Sequence, residues 1–399
     1  MKAFTEPLLS LAGFEEMTKT AEKSSGLISV TGCIDAQKSQ MIYAFGGHRK
    51  NKLIVTFGEQ KAKELYDEYS FFDKEVVYYP SKDVLFYQSD IRGNLLTAER
   101  IRALKAIREQ ESVTLVTTFD ALMNTMAPIE KMWENVLTLE QGQLLDLKEI
   151  QAALIRMGYE KEYQVQTMGQ FSVRGGILDV FPLTEENPIR IELWGDEIDT
   201  IRYFDCESQK SIENTDRVSI YPAAELVLSD EEKAGGIEKL KAEAKRVSDK
   251  LRKQMKTEEA HRVTVMADEL TEEWGELSMY AGMDAFLSYF FDERVGLLDY
   301  FKPSVSLIFF DELTRCTEQG KLTETEFSES MKQRLAMGYI LPGQMNGLFT
   351  EKEIVAKLEK YSCIALGALD NKANGLHQLG SYGIHCQSVS PYNNSFVYR

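Results

Sequence analysis

Leu27-Ile28-Ser29-Val30-Thr31-Gly32-Cys33-Ile34-Asp35-Ala36-Gln37-Lys38-Ser39 is the stretch that decides the fold of this 399-residue chain. An apolar, β-branched run leads into a glycine, and a Lys-Ser pair follows at the spacing of the phosphate-binding loop G-x-x-x-x-G-K-[ST]. One position departs from the pattern: Gln37 stands where the second glycine belongs. In such loops the backbone N–H groups turn inward around phosphate oxygens, in conformations that a Cβ makes costly. Gln37 brings a Cβ and a polar side chain into that space. Lys38 and Ser39 remain, but the cradle they would serve is not expected to form. The reading is a nucleotide-motor scaffold whose phosphate site (Gly32, Gln37, Lys38, Ser39) is inactive. The competing reading is an ordinary strand-to-helix turn with a chance Lys-Ser pair.

Outward from this stretch, the first 140 or so residues alternate strand and helix. Residues 53–57, 75–80 and 112–118 read as strands, and 59–69 and 97–110 have helical spacing. Strand alternating with helix implies an α/β fold with a parallel sheet and helical crossovers. Near residue 145 the pattern changes. Asp146 can cap a short helix over 147–157, closed by Gly158. Strands then come close together at 176–182, 188–194, 197–205 and 217–222, and Gly195 suits the first central position of a type II′ hairpin turn. This is a small α+β unit inserted into the scaffold. A long amphipathic helix follows, carrying Ile237, Leu240, Ala244, Val247, Leu251 and Met255 at spacings of three and four. The α/β character is expected to return at 263–266 and 286–291 and to culminate in 305–310, followed by a polar helix over 318–337. Residues 350–399 read as a poorly bounded tail with one βα-like piece at 362–367.

The apolar run 305–310 ends in Asp311-Glu312. Motor ATPases place their metal-holding aspartate and water-polarising glutamate at such a strand end. DExH helicases carry histidine two places after the glutamate; this chain has Thr314. Mg²⁺ in these sites needs phosphate oxygens beside a carboxylate, so Asp311 and Glu312 are expected to be as inactive as the loop. Strands also end in acidic residues for no functional reason.

At 399 residues the chain is too long for one core, and two or three domains are expected. Hydrophobic content of 43% and charged content of 27% suit a soluble globular protein. A net charge of −17 repels phosphate backbones, and the basic run Arg49-Lys50-Asn51-Lys52 is short, so a protein partner is favoured over direct nucleic-acid contact. The five cysteines (Cys33, Cys206, Cys316, Cys363, Cys386) are far apart, with no CxxC, and the four histidines form no ligand-spaced cluster with them. Neither a disulfide framework nor a metal site is expected, and a reducing cytoplasm fits. The N-terminus lacks a signal-peptide apolar region, and no apolar run reaches membrane-spanning length.

Gln170-Phe171-Ser172-Val173-Arg174-Gly175-Gly176-Ile177-Leu178-Asp179-Val180-Phe181-Pro182, followed by Ile189-Arg190-Ile191-Glu192-Leu193-Trp194-Gly195-Asp196-Glu197-Ile198-Asp199, resembles the second domain of the excision-repair protein UvrB. It is closer still to the same module at the N-terminus of the bacterial transcription-repair coupling factors, the Mfd family. The order of elements matches as well: a decayed P-loop, Tyr79-Pro80 with its downstream aromatic run, Val116-Thr117-Thr118-Phe119-Asp120-Ala121-Leu122, then this module. The resemblance covers roughly residues 1–345 and is strongest over 165–222. Gln37, and the lack of a long aromatic-rich hairpin insertion soon after the loop, separate the chain from UvrB itself. Ser390-Pro391-Tyr392-Asn393-Asn394-Ser395-Phe396 is similar to the start of the family's following domain, so the resemblance makes this a fragment.

The resemblance implies a degenerate P-loop, helicase-like (UvrB-like) scaffold with an inserted α+β domain. Its divisions would be 1–145 as domain 1a, 146–224 as a UvrA-binding module, 225–345 as domain 1b and the return to the scaffold, and 346–399 as linker and the start of the next domain. It implies UvrA as partner, recruited to RNA polymerase stalled at a DNA lesion. RNA polymerase and DNA would be engaged through absent domains, and ATP and Mg²⁺ would serve the parent's separate motor. This module would have no cofactor, no metal and no catalytic residue. It would be cytoplasmic, with no membrane partner.

Strand alternation supports a docking role without the family. Over 188–194, Ile189, Ile191 and Leu193 face one side, and Arg190, Glu192 and Trp194 the other. An Arg and a Trp together on an outward face have the composition of an interface anchor. Arg174 could share that face, offering a second planar guanidinium for carboxylates. Alternatively, Arg174 and Arg190 only pair with Glu192, Asp196 or Glu197, and Trp194 shields a small core. By the resemblance, the positions of Arg174, Arg190 and Trp194 contact UvrA, the last being commonly phenylalanine. Arg190→Ala and Trp194→Ala are each expected to weaken that contact with the fold intact. The rival for the whole chain is an active nucleotide-dependent DNA-processing enzyme using Lys38, Ser39, Asp311 and Glu312. A weaker alternative is a structural spacer without a partner.

Overall fold

The computed structural model describes residues 6–8, 11, 13–45, 51–82, 93–276, 282–369 and 375–384. Three groups of strands follow one another. The first is β1 (Gly26–Thr31), β2 (Asn51–Thr56), β3 (Val77–Tyr79) and β4 (Thr114–Thr118). The second is β5 (Leu137–Glu140), β6 (Glu160–Lys161), β7 (Gln170–Arg174), β8 (Ile177–Val180), β9 (Ile189–Trp194), β10 (Glu197–Phe204), β11 (Ser211–Thr215) and β12 (Arg217–Ile220). The third is β13 (Ser306–Asp311), β14 (Ser362–Leu366) and β15 (Gln378–Gly383).

The first and third groups merge into one seven-stranded sheet, ordered β15-β1-β14-β13-β2-β4-β3, in which every pairing is parallel. Helices cover both faces, so its central strands are buried along almost their whole length. Consecutive residues drop into opposite cores. Leu27, Leu53, Leu115, Phe310 and Cys363 enter one; Ile28, Ile54, Val116, Phe309 and Ile364 enter the other.

Two expectations change. Residues 346–399 read as linker and tail with one βα-like piece at 362–367, yet within them lie helix Glu351–Leu358 and β14, which lies between β1 and β13 at the heart of the sheet, with β15 on the far side of β1. Ser362-Cys363-Ile364-Ala365-Leu366 is the strand of that βα-like piece; a run of five buried residues without polar alternation does not tell an edge from the centre of the sheet. The stretch 390–396, compared above with a following domain, lies outside the described residues. Residues 263–266 were expected in a strand and instead belong to helix Thr257–Glu276. There Ala260, Val263, Ala267 and Trp274 form a stripe against Leu240, Ala244 and Leu251 of helix Asp230–Lys253, and that packing outweighs the β preference of Val263-Thr264-Val265. Residues 287–290 form one helical turn beside this pair.

The second group makes a six-stranded sheet ordered β11-β10-β9-β8-β7-β6, antiparallel except at the two-residue β6. A separate β5–β12 ribbon is antiparallel as well. Helix Leu147–Arg156 closes the core of this unit through Leu154, which meets Phe171, Leu178, Ile189, Ile191, Ile198 and Ile201. The Asp146 carboxylate caps that helix, accepting from the amides of Lys148 and Glu149, and Gly158 ends it at φ 87°. Gly195 has φ 65° while Asp196 does not have a positive φ, the signature of a type II′ turn.

A buried ion network fastens the exit of this unit to the scaffold. Arg100 is fully buried; its Nε donates to Glu225 Oε1 at 2.7 Å and its Nη2 to Glu225 Oε2 at 3.0 Å. Its Nη1 donates to the Pro80 carbonyl at 2.7 Å, and the guanidinium lies over the Tyr79 ring. Lys82 pairs with Glu225 at 2.9 Å and with Asp284.

Candidate functional site

Helix Asp35–Phe45 begins three residues before Lys38. Residues 35–37, which a phosphate loop would leave as open backbone, are its first turn. Gly32 keeps a left-handed φ of 78°, but a Cβ on it would lie 2.0 Å from the Ile384 carbonyl oxygen, so the chain after β15 closes over the loop. The amides of Gly32 and Cys33 donate to the carbonyls of Ala368 (3.2 Å) and Gly367 (3.1 Å), and that of Gln37 to Ile34 (3.0 Å). Amides that a phosphate site turns toward an anion are here bonded within the chain.

The Lys38 side chain is buried, and its ammonium donates to Asp35 Oδ1 at 2.8 Å, Asp311 Oδ1 at 2.5 Å and Glu312 Oε1 at 3.2 Å. An ammonium has three hydrogens, and all three have carboxylate acceptors. The second oxygen of Asp311 accepts from the Thr56 hydroxyl at 2.9 Å, and that of Asp35 from Lys61 at 3.1 Å. The Ser39 hydroxyl donates to Glu68 at 3.3 Å. Burial alone would lower the Lys38 pKa; Asp311 foremost, then Asp35 and Glu312, outweigh it and hold the group well above the ordinary lysine value. The Asp35 carboxyl is pulled below its usual range, chiefly by the hydrogen bond from Lys38. Glu312 takes a left-handed backbone (φ 58°, ψ 63°), with its amide on the Leu366 carbonyl at 3.0 Å and its carboxylate accepting from the Ala368 amide at 3.1 Å.

The structure therefore brings together Lys38, Asp311 and Glu312, which the sequence had grouped as one site. Sequence reasoning missed Asp35 and Lys61. The available signal was the spacing of Asp35 three residues before Lys38, which puts both on one helix face. Gln37 fits its place poorly, for its Oε1 is buried without a hydrogen-bond partner among the described residues.

In the inserted unit the strand register builds the outward face row by row. Ser172, Asp179, Arg190, Arg202 and Asn214 stand opposite one another across five strands. The next row is Arg174, Ile177, Glu192 and Thr200, and the row at the hairpin tip is Trp194, Glu197 and Leu144. An extra residue at Asp199 shifts the register and lets Ile198 and Ile201 both point inward.

The pairing of the arginines differs from the expected alternatives. Arg190 forks onto Asp179, with Nε to Oδ1 at 2.7 Å and Nη2 to Oδ2 at 2.8 Å; Nη2 also reaches Gln209 Oε1 at 2.8 Å. Its guanidinium carbon lies 4.3 Å from the centre of the Phe204 ring. Arg174 Nη2 reaches the same carboxylate at 2.9 Å. Asp179 is buried, and its hydrogen bond raises the Arg190 pKa. Glu192, one of the expected partners, is instead held by Arg202, which lowers its pKa. Of the three expected contact residues, Trp194 is 84% exposed, Arg174 is half-exposed and Arg190 is largely covered. The Asp179 signal was present in the alternation of β8, which puts it on the same face as Ile177, but its neighbour across the sheet follows only from the register.

Among the described residues, no helix is long and apolar enough to cross a membrane.

Residues 137–226 match the family model of the UvrB interaction domain. The chain is 29% identical over 309 residues to the transcription-repair-coupling factor of Bacillus subtilis (strain 168), covering 77% of this chain and 26% of that protein. It is 30% identical over 325 residues to the transcription-repair-coupling factor of Staphylococcus aureus (strain USA300), covering 79% and 26%. Against that of Staphylococcus epidermidis (strain ATCC 12228 / FDA PCI 1200) the figures are 28% over 345 residues, 84% and 28%. The chain thus spans about a quarter of the length of the curated relatives it matches. The resemblance noted in residues 165–222 holds, and so does the α/β scaffold with a small inserted antiparallel unit.

Proposed function

We propose that this chain, a module similar to part of the transcription-repair-coupling factors and carrying a UvrB interaction domain, captures UvrA on the outward face of β7–β10 and does no chemistry itself. The observation that carries this reading is the family match over 137–226, which falls on the sheet that displays Trp194. In the proposal, Trp194 is the anchor and Arg174 offers its unbonded guanidinium edge. Arg190 holds Asp179, the carboxylate that also receives Arg174. Nucleotide excision repair supplies the setting: UvrA is brought to RNA polymerase stalled at a lesion. The ATP-driven translocation, its Mg²⁺, and the contacts to polymerase and DNA belong to parts of the parent outside this chain. The setting is cytoplasmic.

The rival enzyme reading needs Lys38 to face a triphosphate. Its three carboxylate partners speak against that, because each would have to leave a largely buried ammonium. The test is UvrA binding by Trp194→Ala, measured by calorimetry beside the wild-type chain. A central interface tryptophan contributes about 2 kcal/mol or more, so binding should weaken about 30-fold or more. The unfolding curve should not move, because the ring is exposed. Undiminished capture of UvrA by Trp194→Ala would remove the proposal.

A further inference from the structure

We propose that the interface extends from the Trp194 tip into a neighbouring groove, and that this groove receives an arginine-bearing loop of the protein partner; the inference rests on the UvrA-docking reading and names the chemistry of its second half. The groove has a volume of about 710 Å³ and runs between the β9–β10 tip and the β5–β12 ribbon, lined by Glu140, Trp194, Glu197, Asp199, Asp216 and Arg217 among others. Backbone bonds set its walls: Gln141 N to Asp216 O at 2.9 Å, Gly142 N to Ile198 O at 2.8 Å, and Leu145 N to Asp196 O at 2.7 Å. The Gln141 side chain adds a bond to the Asp199 carbonyl at 2.7 Å.

The charges in the groove are arranged unlike those on the adjoining face. On that face Asp179 and Glu192 are each forked by a guanidinium. In the groove four carboxylates stand against one guanidinium, and only Glu140 has it, through Arg217 at 3.3 Å. The carboxylates of Glu197, Asp199 and Asp216 have no hydrogen-bond or ion-pair partner among the described residues. Glu197 also sits in one row between two exposed apolar side chains, Trp194 (84%) and Leu144 (75%).

A flat open indole beside unpaired carboxylates suits a planar cation that can stack and form hydrogen bonds together, which is what an arginine offers over a lysine. The same charge repels a nucleic-acid strand. It also disfavours a second copy of this chain, which carries −17.

The test is the triple variant Glu197→Gln, Asp199→Asn, Asp216→Asn in the full chain, which leaves Trp194, Arg174 and Arg190 in place. UvrA association is followed from low to moderate salt. Charges at an interface rim act mainly on the association rate. The variant should associate about tenfold more slowly at low salt, with a flatter salt dependence than the wild type. Arg217→Gln, which frees Glu140, should shift association the opposite way. The three altered carboxylates are exposed and unbonded among the described residues, so the far-ultraviolet spectrum and unfolding curve of the triple variant should match the wild type. If the triple variant keeps the wild-type rate and salt slope, the groove proposal fails while UvrA docking stands. If the wild-type chain does not bind UvrA, the docking reading fails with it.

Discussion

Arg190→Ala should damage the fold of the inserted unit before it touches any partner. Asp179 keeps only 2% of its side chain exposed, and Arg190 13%. Removing the guanidinium deletes both bonds of the fork and leaves the buried carboxylate with the single bond from Arg174. Breaking a buried pair from one side costs about 3–5 kcal/mol. The surviving Arg174 bond places the loss near the lower figure, about 3 kcal/mol. That loss is local, so native-state hydrogen exchange on the full chain is the suitable assay. Amides in β8 and β9, such as those of Leu178 and Ile191, should exchange about 100-fold faster. Those of β1 and β13 should keep their wild-type rates. Adding Asp179→Asn should restore much of the protection, because no charge is then left buried. Trp194→Ala should leave every one of these rates alone while weakening UvrA capture. If Arg190→Ala leaves β8 and β9 as protected as before, the fork is not supporting the sheet, and the separation of positioning arginine from contact tryptophan is wrong.

Two further outcomes follow from the buried charges. Gln37→Gly restores the letter of the phosphate loop but leaves the helix starting at Asp35 and Lys38 held by three carboxylates; calorimetry should show no sub-millimolar Mg-ATP binding, and its appearance would trace the defect to residue 37 alone. Burial would raise the Glu225 pKa, yet Arg100 foremost and then Lys82 bring it down to about 2 from an ordinary 4.5. A carboxylate depressed in the folded state stabilises above its unfolded value and loses that contribution as pH falls from 4.5 through 2. Glu225→Gln should therefore flatten the acid limb of a urea midpoint-against-pH curve over that window, at the expense of stability at neutral pH; identical slopes for variant and wild type would contradict it.

The parallel scaffold was legible because the apolar runs of β1, β2 and β4 are each followed by a helix, and the one after β2, Glu59–Tyr69, shows an apolar face through Ala62, Leu65 and Tyr69. Helix Leu147–Arg156 was legible from its Asp146 cap, and the β9–β10 hairpin from Gly195. Legibility failed where burial is complete or where partners are distant in sequence. The strand at 362–366 was readable as part of a βα-like piece, but not its place between β1 and β13. Helix Thr257–Glu276 contains β-branched residues whose placement is decided by helix Asp230–Lys253. For the site, residue types were readable and pairings were not. The outward placement of Arg190 and Trp194 follows from a period of two, but Asp179 as the shared carboxylate needs the β8–β9 register, which no local pattern states.

The Lys38 cluster shows what a buried ammonium needs where no phosphate is held. A lysine at the end of a phosphate loop is tolerable when phosphate oxygens take its hydrogens; without them a buried ammonium is expensive. In this chain Asp311 and Glu312, placed at the end of β13, accept from Lys38, and Asp35 takes the third hydrogen from the first turn of the same helix. The loop after β14 joins in, because Ala368 bonds Glu312 and its carbonyl receives the Gly32 amide. The start of helix Asp35–Phe45 and the end of β13 are thus held around one side chain, and the loop after β14 braces Glu312. With all three ammonium hydrogens on carboxylates, Lys38 has none left for a phosphate in this arrangement. That suits a rigid support for a docking face better than an engine.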